Sequence, residues 1–335
     1  MNHFLACGVA GTALDGAERR LLRELVPGGV LLFARNVASR EQLAALVAEL
    51  RALPGPPLIS IDLEGGRVNR LRGVIGPLPS AAQAAAAGAE ACHALGRAAG
   101  AACAYFGIDV DLAPVVDVAW PGGWLAGEGR CWGGDARAVT SFAGIFLAGL
   151  ESYGVRGCLK HYPGLGTGAV DSHRELPALG DGVREEEEVF RVLATPQRAV
   201  MVAHAICPQL GDGFAPASLS ATVVGRLDGV SCGLVLADDL EMGALAGWGG
   251  VGERAAAALG AGCHQVILSN LLEERAPLAA YVNRAAAGDR PLALRLQRGK
   301  ERVDAFRRGV ALRRVSWSEV ERAADAARRL AGGTA

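Results

Sequence analysis

The chain has 335 residues, enough for one large α/β barrel or two ordinary domains, and in either case for a sizeable core. Its 34 lysines and arginines nearly cancel 35 aspartates and glutamates, which removes the global field that a nucleic acid or an acidic membrane surface would need. Eight scattered cysteines without CxxC spacing, no basic stretch ahead of the short apolar N-terminal run, and no apolar segment of the roughly 18 residues that span a bilayer predict a cytoplasmic protein with reduced, buried thiols.

In chain order, short apolar runs recur: FLACGVA, GVLLFARN, PLISIDLEGG, IDVDLAPVVDV, VRGCLKHYPG, RAVMVAHA, GLVLADDL and HQVILSN. They predict eight buried strands. Segments with helical spacing lie between them. Ser39 followed by Gln42, and Ser80 followed by Gln83, each supply a capping box, the first for a leucine-rich helix to Leu53 and the second for an alanine-rich helix to about Phe106. Strands that are hydrophobic throughout, alternating with helices, argue for a parallel sheet covered on its outside. With no linker or charge block between the units, the expectation is a closed (β/α)8, TIM-like barrel over residues 1–290. The Arg-rich remainder, 291–335, is expected to form C-terminal helices packed on the barrel, their charges a solvated face.

In such a barrel the site lies at the carboxyl ends of the strands. Asp62 and Glu64 end the third run, Asp117 the fourth, Lys160 and His161 the fifth, His204 the sixth, and Asp238 and Asp239 the seventh. Charges crowded at a barrel mouth are costly to desolvate unless they serve a ligand.

The stretch KHYPGLGTGAVDSHRELP, after the fifth run, admits three readings. GLGTGA looks like a dinucleotide loop, but Pro163 precedes it and no helix is expected to follow, so a nucleotide cradle is not expected. The amides of Gly166, Thr167 and Gly168 remain candidates for a small anion such as phosphate. A metal centre from His161, Asp171, His173 and His204, with Cys158 or Cys207, fits no HExxH, HxH or CxxC spacing and would have Lys160 beside it, so no metal is expected. In extended chain, Asp171 and His173 project from one face, where the carboxylate can orient the imidazole as a proton-transfer dyad. A carboxylate on another strand end, Asp238 or Asp239, would then attack carbon or stabilise a cation.

GVLLFARN with SREQLAAL, IDLEGGRVNRL, GRCWG, KHYPGLGTGAVDSH, AHAICP with PASLS, and LADDLEM resemble, in order, the motifs of glycoside hydrolase family 3, in particular its compact single-barrel branch of bacterial β-N-acetylglucosaminidases. The resemblance implies Asp238 as the nucleophile of a covalent glycosyl-enzyme, His173 as acid/base on a mobile loop, and Asp171 as its partner. It places Asp62, Arg70, Arg130, Lys160 and His161 on the hydroxyls of the bound sugar, with His204 near that pocket. A small carbohydrate is the implied substrate, with no cofactor, nucleic acid, membrane or obligatory protein partner. Two departures stand out. Leu165 replaces the usual histidine of the loop and Leu63 the usual glutamine of IDQEGG; both are expected to exchange polar for apolar groups near the site, leaving a β-glucoside and a β-N-acetylglucosaminide both open. The acceptor is open too: neutral imidazole does not repel phosphate as a carboxylate would, and the glycine-rich loop tilts the expectation slightly from water to inorganic phosphate as co-substrate. A sugar-binding barrel without catalysis is the rival from another class.

Overall fold

A computed structural model describes residues 2–332. Among these, eight strands close a parallel barrel in which each strand lies between its neighbours in sequence. They are β1 (Asn2–Gly8), β2 (Pro27–Leu32), β3 (Leu58–Ile61), β4 (Val110–Asp111), β5 (Arg156–Tyr162), β6 (Ala199–Val202), β7 (Leu234–Asp239) and β8 (Gln265–Leu268). Each forms from one of the eight apolar runs. The fourth run is laddered least: Pro114 offers no N–H, and beyond it the backbone pairs with β5 through an isolated bridge between Val115 and Lys160.

The longer helices outside the barrel are α1 (Gly16–Leu25), α2 (Arg40–Arg51), α3 (Ala89–Phe106), α4 (Ala136–Glu151), α5 (Val183–Leu193), α6 (Val251–Ala261), α7 (Arg275–Gly288), α8 (Arg290–Arg308) and α9 (Trp317–Leu330). Both capping boxes are present: Ser39 Oγ accepts the Gln42 N–H at 3.2 Å, and Ser80 Oγ accepts the Gln83 N–H while Gln83 accepts the Ser80 N–H at 2.9 Å. The helix begun at Ser80 stops early, however. Gly88 has φ of 103°, a conformation that suits glycine, so the alanine-rich segment is two helices rather than one. The second of these, α3, meets α4 almost backbone to backbone: a Cβ on Gly96 would lie 2.0 Å from the Phe146 carbonyl oxygen.

Side chains inside the barrel alternate along each strand. Leu58, Cys158, Leu234 and Leu236 share an interior cluster with Leu112, Met201 and Ile267. Continuing by twos toward the carboxyl ends brings Asp62, Lys160 and Asp238 into line above that apolar floor. The opposite end is closed by α8, whose Val303 and Phe306 belong to the same cluster. Helix α9 packs on α3, with the Trp317 and Tyr105 rings 5.1 Å apart. All eight cysteines are unpaired and buried. Among the described residues no helix is long and apolar enough to cross a membrane.

Candidate active site

Two register shifts coincide with the charged strand ends. Between β5 and β6 the pairing passes from Leu159–Val200 to Tyr162–Val202, so Lys160 and His161 occupy an extra position. Between β7 and β8 it passes from Ala237–Val266 to Asp239–Ile267, with Asp238 as the added residue. Bulges of this kind re-aim side chains. Lys160, His161, Asp238 and Asp239 all line a cavity of about 130 Å³, together with Asp62, Glu64, Arg70, Arg130 and His173.

One wall of the cavity is a buried ionic network. Lys160 Nζ lies 2.8 Å from Asp62 Oδ1 and 2.7 Å from Glu64 Oε1. Arg130 grips Glu64 with two hydrogen bonds of 2.9 and 2.8 Å, and Arg70 stands 3.8 Å from Asp62. Burial alone would raise the Glu64 carboxyl, but Arg130 and Lys160 outweigh it and hold it well below the ordinary carboxylate range. Burial would likewise discharge Lys160, yet Asp62 and Glu64 keep it cationic with a raised pKa. The wall therefore presents fixed charges and hydrogen-bonding groups to a neutral, hydroxylated ligand.

His161 is oriented by Asp117, which is fully buried: Nδ1 lies 2.8 Å from Asp117 Oδ2, leaving Nε2 for the cavity. Asp117 Oδ1 also accepts the Leu165 N–H at 2.7 Å. The loop is pinned again by Glu186 of α5, whose Oε2 accepts the Val118 and Gly166 N–H groups and whose Oε1 accepts the Trp120 indole N–H. This pinning corrects one expectation. The Gly166 amide is taken by Glu186 and the Gly168 amide donates to Leu165 O, so two of the three amides expected for an anion are already engaged; Thr167 Oγ1 accepts from Gly180, and none of the three residues lines the cavity.

Beyond Gly168 the chain becomes an arm over the cavity. Asp171 Oδ1 accepts both the backbone N–H of His173 at 3.0 Å and its ring Nδ1 at 2.8 Å, so Nε2 is the ring atom left to exchange a proton. The arm rests on the loop after β7, through Gly243 N–H to His173 O at 2.9 Å and Ala244 N–H to Ser172 O at 3.3 Å.

The two acids of ADDL are not equivalent. Burial would raise Asp238, but the imidazoles of His161, His204 and His173, with the Asp239 N–H at 2.8 Å, hold it below its ordinary value and ionised. Burial dominates at Asp239, whose carboxyl is pushed up to about 7 although Ser269 donates to it. His204, expected near the bound sugar, is fully buried and does not reach the cavity. Its Nε2 is 2.9 Å from Asp239 O and its Nδ1 2.6 Å from Ser218 Oγ, so it braces the Asp238–Asp239 turn from behind. The three histidines thus have separate partners, and among the described residues no group of three or more His, Cys, Asp or Glu side chains is arranged to hold a metal ion.

An ionised carboxylate, an imidazole–carboxylate pair on an arm and a wall of fixed charges thus border one cavity. The profile of the glycosyl hydrolase family 3 N-terminal domain matches residues 8–298. The chain belongs to glycoside hydrolase family 3. A β-hexosaminidase of Chromobacterium violaceum is 36% identical over 323 residues, covering 90% of this chain and 88% of the relative. Another, of Stenotrophomonas maltophilia, is 37% identical over 284 residues, covering 79% and 83%. Among solved structures, a family 3 β-N-acetylglucosaminidase from Paenibacillus sp. FPU-7 is similar with a TM-score of 0.89 at 29% identity, covering 98% of this chain and 67% of that one. A β-N-acetylhexosaminidase from Beutenbergia cavernae gives 0.81 at 27% identity, covering 90% and 96%.

In this family 3 hydrolase three structural carboxylates escaped a role in the sequence. Glu64 and Asp117 were visible as acids ending apolar runs, but which base each one holds depends on strands far apart in the chain. Glu186 had no such signal, lying inside the run REEEEVF. Leu63 is also corrected: it is fully buried and absent from the cavity lining, so of the two leucine departures only Leu165 borders the ligand space.

Proposed function

We propose that the chain is a retaining β-N-acetylhexosaminidase that transfers the sugar to water. The observation that carries the reading is the shared cavity of Asp238 and His173. In the first step the Asp238 carboxylate attacks the anomeric carbon, the glycosidic C–O bond breaks, and His173 Nε2 gives its proton to the departing oxygen. In the second, water attacks that carbon, its proton passes to His173 Nε2, and the bond to Asp238 breaks, restoring both groups. Asp62, Lys160, His161 and Arg130 would hold the sugar hydroxyls while charge develops on the ring. The contrast between an ionised Asp238 and a raised Asp239 supports the first as nucleophile.

The named activity of the relatives from Chromobacterium violaceum and Stenotrophomonas maltophilia supports an N-acetylhexosaminide over a glucoside. It also favours water as the acceptor. The slight lean to phosphate rested on the glycine-rich loop, whose Gly166 and Gly168 amides are already committed. The test is to offer 4-nitrophenyl β-N-acetylglucosaminide and β-glucoside with and without inorganic phosphate and identify the products. Free N-acetylglucosamine at a phosphate-independent rate is expected. Phosphate-dependent release of a sugar 1-phosphate, or a preference for the glucoside, would overturn the reading.

A further inference from the structure

A general acid must stand within hydrogen-bond reach of the leaving oxygen, so whatever flanks the arm bearing His173 also flanks the aglycone. At the start of the arm, the backbone N–H of Trp124 donates to Gly168 O at 2.9 Å, and Leu165 Cδ1 would lie 3.5 Å from a Cβ placed on Gly168. At its end, the arm rests on Gly243 and Ala244, directly after Met242. Trp124, Leu125, Leu165 and Met242 line the cavity beside His173, and Val68 adds to this apolar collar. Of the charged groups in the same lining, Asp62, Glu64, Lys160 and Arg130 are bound to one another in the ionic network. Arg70, two residues from Val68, also lines the cavity, its Nε 3.8 Å from Asp62.

We propose that this collar is an aglycone subsite for an apolar leaving group, so that the enzyme cleaves β-N-acetylglucosaminides of apolar aglycones in preference to those of anionic ones. The inference rests on the glycosidase reading above. A carboxylate seated on these apolar side chains would lose water and gain no hydrogen bond from them, whereas an alkyl or aryl group gains by leaving water. Leu165, where the resembling family has histidine, and Trp124 are the specificity-determining side chains.

The experiment compares methyl, hexyl and 5-carboxypentyl β-N-acetylglucosaminides, whose leaving alcohols are of similar basicity. We expect kcat/KM for the hexyl glycoside to exceed that for the methyl by about tenfold, from the methylenes withdrawn from water. The carboxypentyl glycoside should fall back toward the methyl value. Trp124→Ala and, independently, Leu165→Gln should each draw the hexyl-to-methyl ratio toward one. Equal rates on all three substrates, or variants that leave the ratio unchanged, would overturn the subsite. If 4-nitrophenyl β-N-acetylglucosaminide itself is not cleaved, the parent reading fails and takes this one with it.

Discussion

His173 Nδ1 sits 2.8 Å from Asp171 Oδ1 while 64% of the His173 side chain remains exposed. The ring is oriented before substrate arrives, yet it is carried on an arm outside the packed barrel. Such an acid matters most when the departing oxygen is strongly basic, because a good leaving group needs little protonation in the transition state. His173→Ala is therefore expected to slow alkyl glycosides by about 100-fold or more, within the usual range for general acid catalysis, and 4-nitrophenyl glycosides far less. Equal slowing of both classes, measured as kcat/KM, would remove His173 from the acid role.

Lys160 is the keystone of the ionic wall, 3% exposed and bonded to both Asp62 and Glu64. Lys160→Met leaves the buried Glu64 and the partly buried Asp62 short of a cation, a change that costs about 3–5 kcal/mol in comparable buried pairs. Urea unfolding should show that loss together with loss of turnover. Full stability in this variant would mean that the network is looser than its geometry.

Asp111, fully buried, is pushed up to about 8 by burial, with the Leu63 N–H and Lys160 opposing the shift. Its Oδ1 accepts that N–H at 2.9 Å and its Oδ2 has no protein partner. From the ordinary value of 3.8 up to about 8, the folded chain keeps a proton that the unfolded chain has lost. Its contribution to stability is thus fully present below the lower value and declines as pH rises through the upper one. Asp111→Asn keeps an acceptor for Leu63 without titrating. Its Tm relative to the parent should climb as pH rises from 5 to 8 and then level off; a constant gap would contradict the assignment.

Glu186 joins the segment after β4 to the loop after β5 through three N–H donors. Removing the acceptor orphans groups that each cost about 1–3 kcal/mol when buried and unpaired. Glu186→Ala should lower Tm and reduce kcat as the base of the arm loosens. Glu186→Gln, which keeps one carbonyl oxygen, should fall between; identical behaviour of the two variants would deny the anchoring role.

The barrel was legible because each strand announces itself as an unbroken apolar run closed by polar or glycine residues, and the site residues cluster at those closures. What misled was local. Gly88 reads as tolerable inside a helix until its φ is known. GLGTG reads as a row of free amides until Glu186 is found beneath it, and nothing in the run REEEEVF marks which of its acids the turn of α5 buries, Glu186 and Glu187. His204 ends an apolar run just as His161 does, but only His161 follows a register shift into the cavity. Gly88 apart, the missing information was a partner supplied by a distant part of the chain.

The central claim is that Asp238 bonds the sugar. Incubation with a fluorinated N-acetylglucosaminyl inactivator, whose fluorine slows the second step, followed by peptide mass spectrometry, tests it most directly. The account predicts one sugar per chain on Asp238, and none after Asp238→Asn. A label on Asp239, or turnover without any covalent intermediate, would contradict it.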